Sequence, residues 1–132
     1  MEFKLEKDGG NVSYVLSQIL NTCITGITLS DPYQPDHPLI YVNEAFELMT
    51  GYTREEIIGR NCRFLQGEDR DQPEIDQIRE ALRERKSVTV TLRNYRKDGS
   101  LFYNQLSIRP IYDEQGRLIY FLGSQYDITE IR

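Results

Sequence analysis

Alternating apolar and polar residues mark the C-terminal half of the chain as β-structure. From residue 88 onward the period is two, with apolar Val88, Val90 and Leu92 set against Thr89, Thr91 and Arg93. This period predicts a half-buried strand over 88–96. Asp98-Gly99 then predicts a hairpin turn. A second turn around Gly116 separates two further predicted strands, over 101–112 and 118–126.

A helical period appears in two places. The first predicts a short helix over 12–20, capped by Asn11, that either covers the core or forms half of a dimer contact. Its apolar stripe consists of Val12, Val15, Leu16, Ile19 and Leu20. The second predicts a helix over 73–85, opened by Pro73, that docks on the sheet. Its apolar side consists of Ile75, Ile78 and Leu82.

Shorter elements connect these segments. Strands are predicted over 24–30 and 39–42, and the loop between them holds three of the five prolines. A short helix over 44–49 follows, and Thr53 with Glu56 forms a capping box that opens another. Strands at both ends with helices between them indicate an α+β domain, whose antiparallel sheet is covered on one face and pairs its first strand with its last.

Composition narrows the function classes. The 132 residues fit one compact domain. A net charge of -5 argues against a nucleic-acid surface, and no apolar stretch approaches membrane-spanning length. Two cysteines and one histidine do not support a disulfide scaffold or a zinc site. We expect a cytoplasmic domain with reduced thiols and no metal.

Each of the three long C-terminal strands carries a candidate amide: Asn94, Asn104 and Gln125. An amide carries both donors and an acceptor. If all three faced one cavity, they could recognise a flat heterocycle with carbonyl and N–H edges. Amides at strand ends or facing solvent remain the alternative.

Two arginines and one cysteine are further candidates. Arg63 and Arg79 could clamp a phosphate, since a guanidinium matches phosphate oxygens, or they could be ordinary surface residues. Cys62 could be a small hydrophobe packed in the core. It becomes functional if a bound cofactor can be made reactive beside it. His37, the only histidine, lies in the proline-rich loop, so a cysteine hydrolase is not favoured.

Residues Gly59–Gly67 read Gly-Arg-Asn-Cys-Arg-Phe-Leu-Gln-Gly and resemble the signature of the light-oxygen-voltage (LOV) photoreceptors, a flavin-binding branch of the PAS domains. Other segments resemble the same family in the same order. They are Tyr41–Phe46, Thr50–Tyr52, Asn94–Ser100, Phe102–Asn104 and Gly123–Thr129. The resemblance covers about residues 22 to 129.

The resemblance implies a PAS fold, a five-stranded antiparallel sheet with short helices over one face that enclose a flavin pocket. It implies that Cys62 attacks C(4a) of flavin mononucleotide (FMN) after blue light is absorbed. It also implies a set of cofactor contacts. They are Arg63 and Arg79 at the phosphate, Asn61 and Gln66 at the ribityl chain, phosphate or ring, Asn94, Asn104 and Gln125 at the ring's polar edge, and Leu65, Leu82, Leu92, Leu106 and Phe121 around the ring.

The function we expect is a blue-light sensor that is not itself an enzyme. Its parts would be a leader with a short helix (1–21), the PAS/LOV domain (22–129) and the start of a linker (130–132). A homodimer and an effector downstream of Arg132 are the expected partners, and no contact to nucleic acid or membrane is expected. Alternatives are a non-photochemical PAS module, with Cys62 as packing, and a redox-sensing or catalytic flavoprotein.

The expected switch is Gln125, whose amide would reorient when the flavin's N5 changes from acceptor to donor. Ile108 and Ile119 could form an apolar patch on the exposed sheet face for dimerisation, or could point into the pocket.

Overall fold

The computed structural model describes residues 11–131, with side chains from Tyr14 onward. The predicted leader therefore lies largely outside the described residues. The elements, in chain order, are α1 (Asn11–Thr22), β1 (Gly26–Ser30), β2 (Leu39–Val42), α2 (Glu44–Thr50), α3 (Arg54–Ile57), a 3₁₀ helix (Cys62–Gln66), α4 (Pro73–Glu84), β3 (Val88–Tyr95), β4 (Leu101–Tyr112) and β5 (Leu118–Asp127).

The five strands form one antiparallel sheet in the order β2-β1-β5-β4-β3. The first and last strands pair at its centre, with Gly26 opposite Gln125 and Ser30 opposite Phe121. The predicted α+β class and the pairing of the first strand with the last are thereby confirmed. Because this pairing joins residues about a hundred positions apart, it brings both ends of the domain onto neighbouring strands.

The predicted first strand is two residues too long at its start. Ile24 is 87% exposed, and β1 begins at Gly26. The reason is a competing bond, since the backbone oxygen of Thr25 accepts from the side chain of Asn43. Helix α1 also differs from its prediction, because it starts at Asn11 itself and extends to Thr22.

Asn43 fastens α1, β1 and α2 to one another and is fully buried. Its Oδ1 accepts from the backbone N–H groups of Ile27 at 2.8 Å and Phe46 at 3.2 Å. Its Nδ2 donates to the carbonyls of Leu20 at 2.9 Å and Thr25 at 3.0 Å. Both halves of the amide are thus engaged. One side chain sets how the first helix leads into the sheet.

The core consists of two apolar clusters. The first joins β2 to the central helices and contains Leu39, Val42, Phe46, Ile57 and Leu65, with Cys62 packed against it. The second joins α4 to the sheet and contains Ile75, Val90, Leu92 and Leu106. The predicted docking of the second helix on the sheet is therefore confirmed. The predicted capping box at Thr53 and Glu56 is present as well.

The loop between the 3₁₀ helix and α4 is held against β3. Arg93 donates to both carboxylate oxygens of Asp69, at 2.7 and 2.8 Å, and the Tyr95 hydroxyl donates to the same group at 2.6 Å. Gln72 is buried and bonds the backbone of Arg93 in both directions. These bonds fix the distance between the 3₁₀ helix and the sheet.

No helix in the described part of the chain has the length and apolar character needed to cross a bilayer.

Candidate functional site

A cavity of about 480 Å³ lies between the inner face of the sheet, the 3₁₀ helix and α4. This volume is within the range of sites for small molecules and cofactors. Eleven of the thirteen residues predicted for the site line this cavity. The eleven are Asn61, Cys62, Arg63, Gln66, Arg79, Leu82, Leu92, Asn94, Leu106, Phe121 and Gln125.

The two remaining residues, Leu65 and Asn104, are absent from the lining. Leu65 points into the first apolar cluster and is 1% exposed. Asn104 lies directly beside the lining, since its Nδ2 donates to Oδ1 of Asn94 at 3.0 Å. The two asparagines are thus joined by a hydrogen bond, whereas the Leu65 side chain lies on the core side of the 3₁₀ helix.

Two amide oxygens at the sheet face are buried without a protein partner among the described residues. They are Oδ1 of Asn104 and Oε1 of Gln125. A buried acceptor that makes no hydrogen bond costs free energy, so such an atom in a folded protein requires explanation. A ligand that brings N–H or O–H groups to this end of the cavity would satisfy them. The donor and acceptor pattern therefore fits the polar edge of a heterocycle such as a flavin.

The cavity floor at β5 is shaped by a glycine. Gly123 pairs with Thr28 of β1, and a Cβ atom there would lie 2.4 Å from Thr28 Oγ1 and 2.7 Å from Gln125 Nε2. A Cβ atom essentially never approaches another heavy atom this closely without a bond, so any larger residue would displace that pair. The missing side chain leaves room for Gln125 to donate to the Thr28 hydroxyl, at 3.3 Å.

Cys62 opens the 3₁₀ helix and lines the cavity. It packs against the first apolar cluster and is half-buried as a whole residue. Desolvation of the sulfur raises the pKa of the Cys62 thiol to about 11. The thiol is therefore protonated at neutral pH and is a poor nucleophile towards ordinary electrophiles. Cys23, in contrast, bonds back to the Ile19 carbonyl at 3.5 Å, at the end of α1.

The other end of the cavity is charged. Nη2 of Arg63 lies 2.6 and 2.5 Å from the two carboxylate oxygens of Asp36. Asn61 donates from Nδ2 to the Asp36 carbonyl at 2.7 Å and accepts from the Arg63 backbone N–H at 2.9 Å. Arg79 contacts Asp76, with Nη1 to Oδ1 at 3.5 Å. Both predicted phosphate ligands thus face the cavity beside carboxylates.

Sequence reasoning did not predict several lining residues for the site. They are Thr28, Ser30, Asp36, His37, Leu39, Ile75, Ile78, Arg83 and Gly123. Ile108 faces the cavity, so its alternative placement on the exposed sheet face is wrong, whereas Ile119 is half-buried. Helical spacing places Ile75 and Ile78 on the side of α4 that docks on the sheet, and this spacing is the sequence pattern that could have predicted them as lining residues. The residues in loops follow no such pattern.

Comparison with known proteins gives one family model and many relatives. A model described as "PAS domain" matches residues 25–130. Blue-light-activated histidine kinase 1 of Erythrobacter litoralis is 55% identical over 105 residues, which cover 80% of this chain and 29% of the kinase. The chain is thus similar to less than a third of that relative's length.

Two solved structures are similar over most of the chain. One, described as an RNA-binding Light-Oxygen-Voltage Receptor, has a TM-score of 0.86 and 36% identity over 99% of this chain and 37% of its own. The other, described as "Flavin Analogue Sheds Light on Light-Oxygen-Voltage Domain Mechanism", has a TM-score of 0.81 and 41% identity over 92% of this chain and 90% of its own. Both likenesses cover more than nine-tenths of this chain.

Proposed function

The chain belongs to the light-oxygen-voltage branch of the PAS domains, and on that premise we propose that its cavity binds FMN and that Cys62 bonds to it reversibly under blue light. Its relatives include blue-light photoreceptors, so light sensing is the general function. The observation that carries the finer proposal is that one cavity is lined by a protonated thiol, two arginines and an amide whose acceptor has no partner within residues 11–131.

In this proposal, each end of the cavity would hold a different part of the cofactor. Arg63 and Arg79 would hold the phosphate, with Asn61 and Gln66 along the ribityl chain. Asn94, Asn104 and Gln125 would bond the ring's polar edge, and the apolar lining would pack against its faces. Leu65, which belongs to the same 3₁₀ helix as Cys62, would anchor that helix on the first apolar cluster. When bound, FMN would supply blue-light absorption and an electrophilic C(4a) carbon.

The protein's own part is to hold a thiol ready without letting it react in darkness. Desolvation keeps the proton on Cys62, so the sulfur bonds only when absorbed light supplies the drive. Its fixed position at the start of a helix packed on the core provides proximity and orientation. Gln125 would then relay the change, because its amide can present either a donor or an acceptor to the same point.

We also propose a homodimer, with an effector in the remainder of a longer protein. Val15 and Ile19 of α1 and Leu48 of α2 are 48%, 53% and 78% exposed, which supports an apolar contact on the helical side.

The Erythrobacter litoralis relative is named as a histidine kinase. By analogy, enzymatic output would belong to the effector. The net charge of -5 argues against a nucleic-acid contact by this domain, because such contacts usually need a basic surface.

Absorbance spectroscopy of the purified protein tests the proposal. We expect a yellow protein, after supply of FMN if necessary, that bleaches under blue light and recovers in darkness. A protein that stays colourless with added FMN would instead be a PAS module without photochemistry. Steady turnover of an added reductant, without a light-driven cycle, would indicate a redox flavoprotein.

A further inference from the structure

The carboxylate of Asp36 faces the same guanidinium that the proposed FMN site assigns to the phosphate. We infer that Asp36 is a selectivity residue: it competes with the phosphate for Arg63 and so limits the preference of the site for FMN over riboflavin, which has no phosphate. The inference rests on the proposed function, and it concerns which flavins the cavity accepts.

The geometry of the ion pair carries the inference. Both Asp36 oxygens contact a single nitrogen, Nη2 of Arg63, at 2.6 and 2.5 Å. A guanidinium can grip an anion with two parallel hydrogen bonds along the Nε–Nη2 edge or along the Nη1–Nη2 edge. Nη2 belongs to both edges. While both Asp36 oxygens engage that nitrogen, a phosphate must share it with the carboxylate at either edge.

The backbone keeps that carboxylate near its partner. Asp36 and His37 both have left-handed φ angles, of 67° and 46°, and both line the cavity. The Asn61 side chain bonds the Asp36 carbonyl at 2.7 Å and the Arg63 backbone N–H at 2.9 Å. Asn61 therefore joins the loop to the 3₁₀ helix. The Asp36 carboxylate is therefore held at the site by hydrogen bonds within the protein.

Arg79 provides an internal comparison. Its contact with Asp76 is 3.5 Å long and joins residues one helical turn apart, with side chains that are 72% and 82% exposed. Such a contact has little energetic weight in water. Asp76 therefore adds a similar negative charge at the other arginine without occupying it as Asp36 occupies Arg63. Asp76→Asn is the matched control for the general effect of removing one negative charge.

The experiment is a titration of flavin-free protein with FMN and with riboflavin, for wild type, Asp36→Asn and Asp76→Asn. Asparagine keeps the shape of aspartate and tolerates left-handed backbone angles. Asp36→Gly removes the carboxylate and also permits those angles. We expect both Asp36 variants to bind FMN about fivefold more tightly, the scale of an exposed ion pair, with riboflavin unchanged and Asp76→Asn close to wild type.

Four results would overturn the inference: weaker FMN binding in both Asp36 variants, unchanged FMN binding in both, an equal gain for riboflavin, or an equal gain in Asp76→Asn. The first would mean that Asp36 orients Arg63 instead of competing for it. If wild type binds FMN and bleaches reversibly while the FMN-to-riboflavin ratio stays constant in the Asp36 variants, only this inference fails. If wild type binds neither flavin, the proposed function fails with it.

Discussion

The side-chain amide of Gln125 donates to the hydroxyl of Thr28 at 3.3 Å, across the two strands that join the ends of the domain. Both side chains are buried, and the amide oxygen of Gln125 has no protein partner among the described residues. The amide is therefore held at its donor end and uncommitted at its acceptor end. A ligand that offers a donor or an acceptor at this point would determine which way it turns.

Gly123 is required for this pair, so Gly123→Ala should disturb it. The added Cβ would overlap Thr28 Oγ1 and Gln125 Nε2, and overpacking of this kind costs about 1–3 kcal/mol. Urea denaturation should show that loss of unfolding free energy. Thr28→Ala removes one of the two colliding atoms, so the double variant should lose less than the sum of the single losses. Strict additivity would contradict the proposed collision.

Gln125→Leu should separate photochemistry from signalling. Leucine cannot exchange donor for acceptor, so we expect light-driven bleaching to persist while the conformational response is lost. Hydrogen exchange of the β1–β5 pair and α1, in dark and lit samples, measures that response. Gln105→Leu is the matched control, because Gln105 is exposed on β4. An undiminished response in Gln125→Leu would show that another group relays the signal.

One reoriented hydrogen bond is too weak to be the whole switch. It contributes about 0.5–1.5 kcal/mol, whereas moving an equilibrium from mostly off to mostly on takes about 5 kcal/mol of differential interaction. Gln125 pairs with Gly26 at the start of β1. The next bonded residue of β1, Ile27, is tied through Asn43 to the end of α1. Packing changes along this connection would have to supply the remainder.

Asn43 should therefore be a major stability determinant. Asn43→Ala would leave two backbone N–H groups and two carbonyls of α1, β1 and α2 without their side-chain partner. We expect a loss of about 2–4 kcal/mol in unfolding free energy, from several buried hydrogen bonds at about 1 kcal/mol each. Asn21→Ala removes one exposed bond to the Glu44 N–H and serves as the control. Equal losses in the two variants would contradict the central role of Asn43.

How far the sequence predicts this site depends on the element. The sequence leaves open whether Asn94, Asn104 and Gln125 share one cavity, and the structure buries all three and brings Asn94 and Asn104 within hydrogen-bonding distance. The expected contact of Leu65 with the flavin ring came from the family resemblance alone, and in the structure this residue of the 3₁₀ helix packs in the first apolar cluster. Asp36 was missed because its left-handed backbone in a proline-rich loop leaves no periodic trace.

Acid should destabilise the domain partly through Asp69. Its bonds from Arg93, and then Tyr95, lower the pKa of the Asp69 carboxyl from 3.8 to about 2. A lowered folded-state pKa gives stability that is present above about pH 4 and is lost as the pH falls towards 2. Thermal unfolding across this window should decline less steeply in Asp69→Asn than in wild type. Asp71→Asn, in the same loop, should follow wild type, and parallel curves for all three proteins would refute the assignment.

The central claim concerns the sulfur of Cys62, and the chain offers its own control in Cys23. Both thiols are half-buried, but of the two only Cys62 lines the cavity. The most direct measurement is one cycle of blue light and darkness, recorded by flavin absorbance in wild type, Cys62→Ala and Cys23→Ala loaded with FMN. We predict reversible bleaching in wild type and Cys23→Ala, and bound, coloured flavin that does not bleach in Cys62→Ala. Reversible bleaching that survives in Cys62→Ala would contradict the account.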